Sequence, residues 1–323
     1  MQRKVLYAML LVALIAAPFA GVYPLFVMKV LCFALFAAAF NLLIGYTGLL
    51  SFGHAMFLGT AGYLTGYTVQ TLGFTPELGV VIGTGAATLL GLVSGLFAIR
   101  RRGIYFSMVT LALAQMVYFI YLQAPFTQGE DGLQAVPRGK LFGLLSLSSD
   151  LVLYYVVLIV MVVAFLLIVR IVHSPFGQVL GAIKENEARA ISLGYDVDRF
   201  KLLAFVLSAA LAGLAGSLKV LVLGFETLGD AYWTMSGLVI LMTLVGGMGT
   251  LFGPIVGAAL IVSLEDRLGD IGGSLASVTG VSWFNSLGES ATIVMGLIFI
   301  ACVLAFRRGI VGEIVARVRP LRS

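Results

Sequence analysis

Charge is scarce in this chain: of 323 residues only 11% are Asp, Glu, Lys or Arg, while 60% are hydrophobic. A soluble domain carries about 25% charged residues, so a freely soluble globular fold is excluded. Histidine and cysteine are scarcer still, at two each. Cys32 and Cys302 both lie inside apolar runs; they form no disulfide framework or zinc spacing and are expected as small buried hydrophobes. No metal site is expected. Also missing are a G-x-x-x-x-G-K-[ST] phosphate cradle and a G-x-S-x-G nucleophile turn. Ser51 and His54 sit three residues apart, a spacing that shares a helix face. No acidic residue lies between Lys4 and Glu77 to orient them, however. A nucleophile needs such a group and an oxyanion site, so an enzyme is not expected.

What the chain does have is apolar runs near twenty residues, each long enough to cross a hydrocarbon layer of about 30 Å as a helix. Lipid offers backbone groups no partner, so these runs must be helical. Spans are expected at 5–22, 25–43, 53–72, 78–99, 103–123, 151–170, 202–223, 233–246, 251–266 and 288–306. The expected fold is all-α and polytopic, with about ten transmembrane helices. One transmembrane domain covers 1–323, with an inner loop over residues 172–202 and an outer loop over residues 124–150. The opening MQRKVLYAML also resembles a secretory signal. Hydrophobic segments continue to the far end, however, and Arg3 and Lys4 suit an uncleaved first span.

The net charge of +5 follows topology rather than nucleic-acid binding. Arg3, Lys4, Arg100 to Arg102, Arg170, Lys184, Arg189, Arg199, Lys201, Arg307, Arg308, Arg317, Arg319 and Arg322 fall on one side of the expected spans. Lys29, Arg138, Lys140, Lys219 and Arg267 fall on the other. The richer side is cytoplasmic by the positive-inside bias, which puts both termini inside.

Two turns, 44–52 and 246–250, carry no charge, and each is expected as a plain loop or as a re-entrant break. Their sequences LIGYTGLLSFG and LVGGMGTLFG share Leu-x-Gly-x-x-Gly. Paired glycine interruptions of this kind flank the path in many transporters; chance similarity in a chain with 39 glycines is the competing reading. Every acidic residue is expected in a loop or at a span end, so no ion-coupling carboxylate is expected at the midplane. With no coupling ion and no phosphate cradle, a separate motor has to dock.

The segment HSPFGQVLGAIKENEARAISLGYDVDRFKLL, from His173, suits that docking. One helix is expected over 175–193, with Ser174 as N-cap, Pro175 at its first position and Gly194 as its stop. Phe176, Val179, Leu180 and Ile183 make an apolar stripe, and Lys184, Glu185, Glu187 and Arg189 follow, with Glu185 and Arg189 placed to pair. The rival reading is a helix lying on lipid, but such helices carry more basic residues and fewer acids.

At these residues the chain resembles permeases of the branched-chain amino acid ABC importer family, the LivM type. NLLIGYTGLLSFGHAMFLGTAGY is similar to the family's early Gly-rich block, RRRGIYFSMVTLALAQ to its arginine-flanked fifth span, and LVGGMGTLFGPIVGA to its late Gly-rich block. TQGEDGL resembles an outer-loop motif, with Gln128 in place of a glycine, and FRRGIVG has Arg308 where proline is common. The block from Ser174 through Leu218 resembles the coupling loop and the span after it.

The resemblance implies the ABC importer permease fold. It also implies a second permease subunit as partner, two cytoplasmic ATPases that bind the ATP, and a periplasmic binding protein, in a bacterial inner membrane. No cofactor on this chain is implied. Related permeases carry urea, amides or aromatic acids, so the cargo stays open. On this footing Phe176, Ile183, Glu185, Asn186, Glu187, Arg189 and Gly194 are candidates for ATPase coupling, with Phe176 and Ile183 buried in the partner's groove. Asn41, Gly48, Ser51, Gly53, His54, Thr110 and Gln115 are candidates for the path; plain helix packing competes at each glycine and at the polar trio.

Overall fold

A computed structural model describes residues 14–21, 23–143, 145–279 and 309–318, with a few positions between 294 and 304. Most of the expected spans 5–22 and 288–306, and Arg308, lie outside the described residues.

Five helices are long and apolar enough to cross a membrane: α1 (Pro24–Thr47), α3 (Pro76–Ala98), α4 (Ile104–Gln123), α5 (Asp150–Val172) and α8 (Val197–Leu223). Between them come α2 (His54–Gln70), α6 (Pro175–Glu185) and α7 (Glu187–Ser192). After α8 follow α9 (Leu228–Ala231), α10 (Trp233–Gly246), α11 (Gly253–Thr279) and α12 (Gly309–Val318). Local sequence sets the ends. Proline opens α1, α3 and α6, where its missing N–H costs nothing. Gly48 stops α1 at φ +76, a conformation that strains residues with a side chain.

Two expected spans change character. The fourteen residues of α10 reach about 21 Å, too short to cross a hydrocarbon layer alone. The run after it is no 16-residue span but opens the 27-residue α11. The pair forms a hairpin around residues 247–252, packed backbone to backbone: a Cβ on Gly246 would stand 2.9 Å from Gly257 N.

α1 and α8 form the axis, with 83% and 72% of their apolar windows buried, against 28% in α3. Small residues allow this closeness. A Cβ on Gly213 would come 2.5 Å from that of Ala87. Outside, Leu89, Phe97, Tyr105, Phe119 and Leu166 are exposed on α3, α4 and α5, as a lipid-facing ring requires. Phe106 and Tyr121 of α4 turn inward. One end of the bundle collects residues 48–53, 99–103, 173–203 and 247–252. The opposite end collects 71–75, 124–149 and 224–232, including a two-residue hairpin, Lys140–Leu141 with Leu145–Ser146.

Candidate functional site

The two glycine-rich breaks meet through one amide, that of Asn41, 208 residues before Gly249. Asn41, one turn and a half before the end of α1, donates from Nδ2 to Thr250 O at 2.9 Å and accepts at Oδ1 from Gly249 N at 2.9 Å. The backbones touch because glycine stands on both sides: a Cβ on Gly45 would lie 2.8 Å from Gly249 N. A third element joins here. Lys184 of α6 donates from Nζ to Gly45 O at 2.7 Å, and its stem passes Gly48 so closely that a Cβ there would be 3.2 Å from Lys184 Cγ. This glycine knot therefore ties α1, the 247–252 turn and the 173–203 loop at one point.

The first break is held from the other side by α4. Thr110 Oγ1 accepts from Phe52 N at 3.2 Å, and Ser107 Oγ donates to Leu50 O at 2.6 Å. A Cβ on Gly53 would stand 2.9 Å from Thr110 O. Ser51 is fully buried and accepts from Gly53 N at 3.1 Å. His54 turns away into the bundle. Ser208 gives its single proton to Ala39 O at 2.6 Å, so His54 Nε2 donates to Ser208 Oγ at 2.8 Å. The ring stands edge-on to Phe40 and Phe57 with centroids at 4.9 and 5.5 Å. That geometry clips α1, α2 and α8 together. Of the path candidates, Asn41, Gly48, Ser51, Gly53 and Thr110 gather around the break, whereas Gln115 is half-buried on α4 and joins none of these bonds.

The 173–203 loop differs from the single helix expected over 175–193. It breaks at Asn186, which is extended at φ −156 and caps α7 by accepting from Arg189 N at 3.0 Å. The break separates Glu185 from Arg189, and the expected pair is replaced by others. Glu187 bridges Lys201 at 2.8 Å and Arg102 at 3.2 Å. Ile183, expected to face a partner, is 3% exposed and packs with Ala190 and Val197 of its own loop. Phe176 stacks on Phe200 at 5.6 Å and is half-buried. The physical reason is economy of apolar surface: a stripe on a short helix buries itself on the nearest apolar neighbours of its own chain. What remains outside is Ile191, Leu193 at 68% exposed, and Tyr195, with Gly194 among them at φ +89. A cavity of about 220 Å³ lies between this loop and the first break, lined by Thr47, Gly48, Arg102, Ile183, Lys184, Glu187 and Lys201.

At the other end the acidic residues lie in a loop or beside a span end, as expected, but they are not exposed there. Lys219, Glu226 and Asp230 are buried together, 3%, 0% and 6% exposed. Lys219 Nζ lies 2.6 Å from Asp230 Oδ2 and 3.2 Å from Glu226 Oε2. Glu226 sits in a loop by sequence, but that loop folds inward and pairs with the 124–149 segment: Leu133 N donates to Glu226 O and Glu226 N to Leu133 O, both at 2.9 Å.

The chain is similar to known proteins along most of its length. A family described as "Branched-chain amino acid transport system / permease component" matches residues 22–303. This chain belongs to that family. It is 28% identical to the high-affinity branched-chain amino acid permease LivM of Escherichia coli, covering 83% of this chain and 69% of the relative. Identity to LivM of Salmonella typhimurium is 30% with the same coverage. The ribose import permease RbsC of Bacillus subtilis is 26% identical, covering 90% of this chain and 92% of that one. No solved structure matches it.

A permease of this family is a multi-pass membrane transport protein, and the five long apolar helices accord with that. One residue of the knot, Lys184, was absent from the site expected on sequence. Helical spacing gave Lys184 a place among surface charges and no hint of a bond 139 residues away. The shared Leu-x-Gly-x-x-Gly did mark both partners of the knot, but not that they touch.

Proposed function

We infer that this permease is one of two membrane subunits of an ATP-driven importer for branched-chain or related amino acids. A second permease completes the path, two cytoplasmic ATPases dock on the 173–203 loop, and a periplasmic binding protein delivers the cargo. The setting is a bacterial cytoplasmic membrane with both termini inside, and ATP binds only to the partner chains. The observation that carries the reading is the two-sided build of the loop. Its inner side reaches the glycine knot through Lys184, while its outer side presents Ile191, Leu193 and Tyr195 to solvent. Exposed apolar side chains clustered beside charge are what a protein interface uses as anchors. A push on the loop is then felt where the two breaks meet.

Replacing Leu193 with Asp tests this. The variant inserts normally, but ATPase co-purification drops by at least tenfold and uptake drops with it. Undiminished co-purification would show that the motor docks elsewhere. A second reading, the same machine carrying an uncharged cargo, is favoured by the likeness to a ribose import permease across 90% of this chain. The other cargoes of related permeases, urea, amides and aromatic acids, are separated in the same way, by calorimetry on the binding protein that delivers cargo to this importer. Uptake by the permease alone, without ATPases, would instead mark an ion-coupled transporter.

A further inference from the structure

The charged cluster at the 124–149 end takes no part in docking or in the glycine knot. It is also deep. A Cβ on Gly62 would lie 2.5 Å from Glu226 Oε1, so the carboxylate is seated against that glycine. Gly62 is eight residues from either end of α2, about 12 Å along the helix from each. Over it lies the 132–136 segment, with Val136 N donating to Gly224 O at 2.8 Å beside the Leu133–Glu226 pair. The glycine knot lies at the opposite end of α1. The cluster and the glycine knot thus lie toward opposite ends of the bundle.

Three ionisable groups buried together in a membrane protein are costly, and a permease that keeps them has a use for them. Anchoring the loop does not require all three: Asp230 alone caps it. The backbone pair with Leu133 already holds Glu226, and Thr227 N and Oγ1 already donate to Asp230 Oδ2 at 3.1 and 2.8 Å. Two buried acceptor groups are left over. Glu226 Oε1 has no protein partner, nor has the hydroxyl of Tyr63, the next residue on α2, which is fully buried and within electrostatic reach of Glu226 and Asp230.

We propose that Lys219, Glu226 and Asp230 are where the permease meets the two charged ends of a zwitterionic α-amino acid. This rests on the amino-acid reading of the cargo. Lys219 faces the carboxylate; Glu226 Oε1, with the Tyr63 hydroxyl beside it, faces the ammonium. The passing cargo exchanges partners with the cluster, so each buried charge stays paired, which a buried charge requires. A neutral sugar offers no such exchange.

The test uses the full importer purified with this chain as bait and reconstituted in vesicles, with labelled leucine and labelled ribose as probes. The triple variant Lys219→Met/Glu226→Gln/Asp230→Asn removes every charge at nearly constant volume. It should keep its thermal midpoint and its ATPases, yet take up leucine at least tenfold more slowly. Should it fail to fold, Glu226→Gln alone, which leaves the Lys219–Asp230 pair, must show the same loss at an unchanged midpoint. Leucine uptake at the wild-type rate in either folded variant overturns the proposal and leaves the cluster as a loop anchor. A wild-type importer that carries ribose and not leucine overturns the cargo reading, and this proposal with it.

Discussion

The two polar junctions at the ends of this bundle are built from different materials. The glycine knot is held by one neutral amide on two backbone positions and by a carbonyl that accepts from an exposed lysine. The far junction is built from ionisable side chains that are 6% exposed or less. Neutral hydrogen bonds contribute about 1 kcal/mol each net and are readily exchanged with water, which suits a junction that has to part. Buried ions cannot part from one another without a replacement partner, which suits a place where something else arrives. A membrane protein can therefore assign motion to one end and selection to the other by choice of group alone.

The largest effect should come from leaving the ions uncompensated. Lys219→Met strands two buried carboxylates and should lower stability by about 3–5 kcal/mol, seen as a fall in thermal midpoint in detergent. Adding Glu226→Gln should recover much of it. If the single variant melts like the wild type, the contrast between the ends collapses.

A smaller loss is expected at the knot. Asn41→Leu leaves Gly249 N and Thr250 O without their partner, at about 1–3 kcal/mol. It should also open the junction: a cysteine at Thr47, which is 4% exposed, should react with a maleimide several-fold faster than in the parent. Asn41→Asp, which keeps the acceptor for Gly249 N, should fall between. Equal labelling in all three would mean that the amide is not what holds the breaks together.

The smallest change in stability should accompany the sharpest change in coupling. Lys184→Met removes one part-buried bond from an exposed side chain and should cost about 1 kcal/mol. Stability and ATPase association should hold while leucine uptake per ATP hydrolysed falls. Uptake per ATP at the wild-type value would sever the proposed link between loop and knot.

Much of this was legible in the chain itself. Apolar runs, proline starts and the Gly48 and Gly194 stops are local, and local sterics place them to within a few residues for α1, α3, α4 and α5. The glycine-rich breaks were legible as breaks, because no helix-favouring pattern spans them. The single helix expected at 175–193 failed at Asn186 because an N-cap side chain competes with helix continuation, and local spacing does not say which wins. Ile183 was placed outward because a stripe shows that a face is buried without showing against what.

By itself, then, the sequence determined that the chain is a polytopic helical membrane protein, roughly where its helices start and stop, and, through its motifs, its family. Those properties rest on composition, on steric rules between near neighbours and on the price of an unpaired backbone group in lipid. Only the tertiary structure decided that Asn41 joins the two breaks, that Lys184 reaches Gly45, and that Lys219, Glu226 and Asp230 share one buried site. The first two of these are contacts between residues more than a hundred positions apart. The third depends on a loop folding inward beside Gly62, and no local preference encodes that depth.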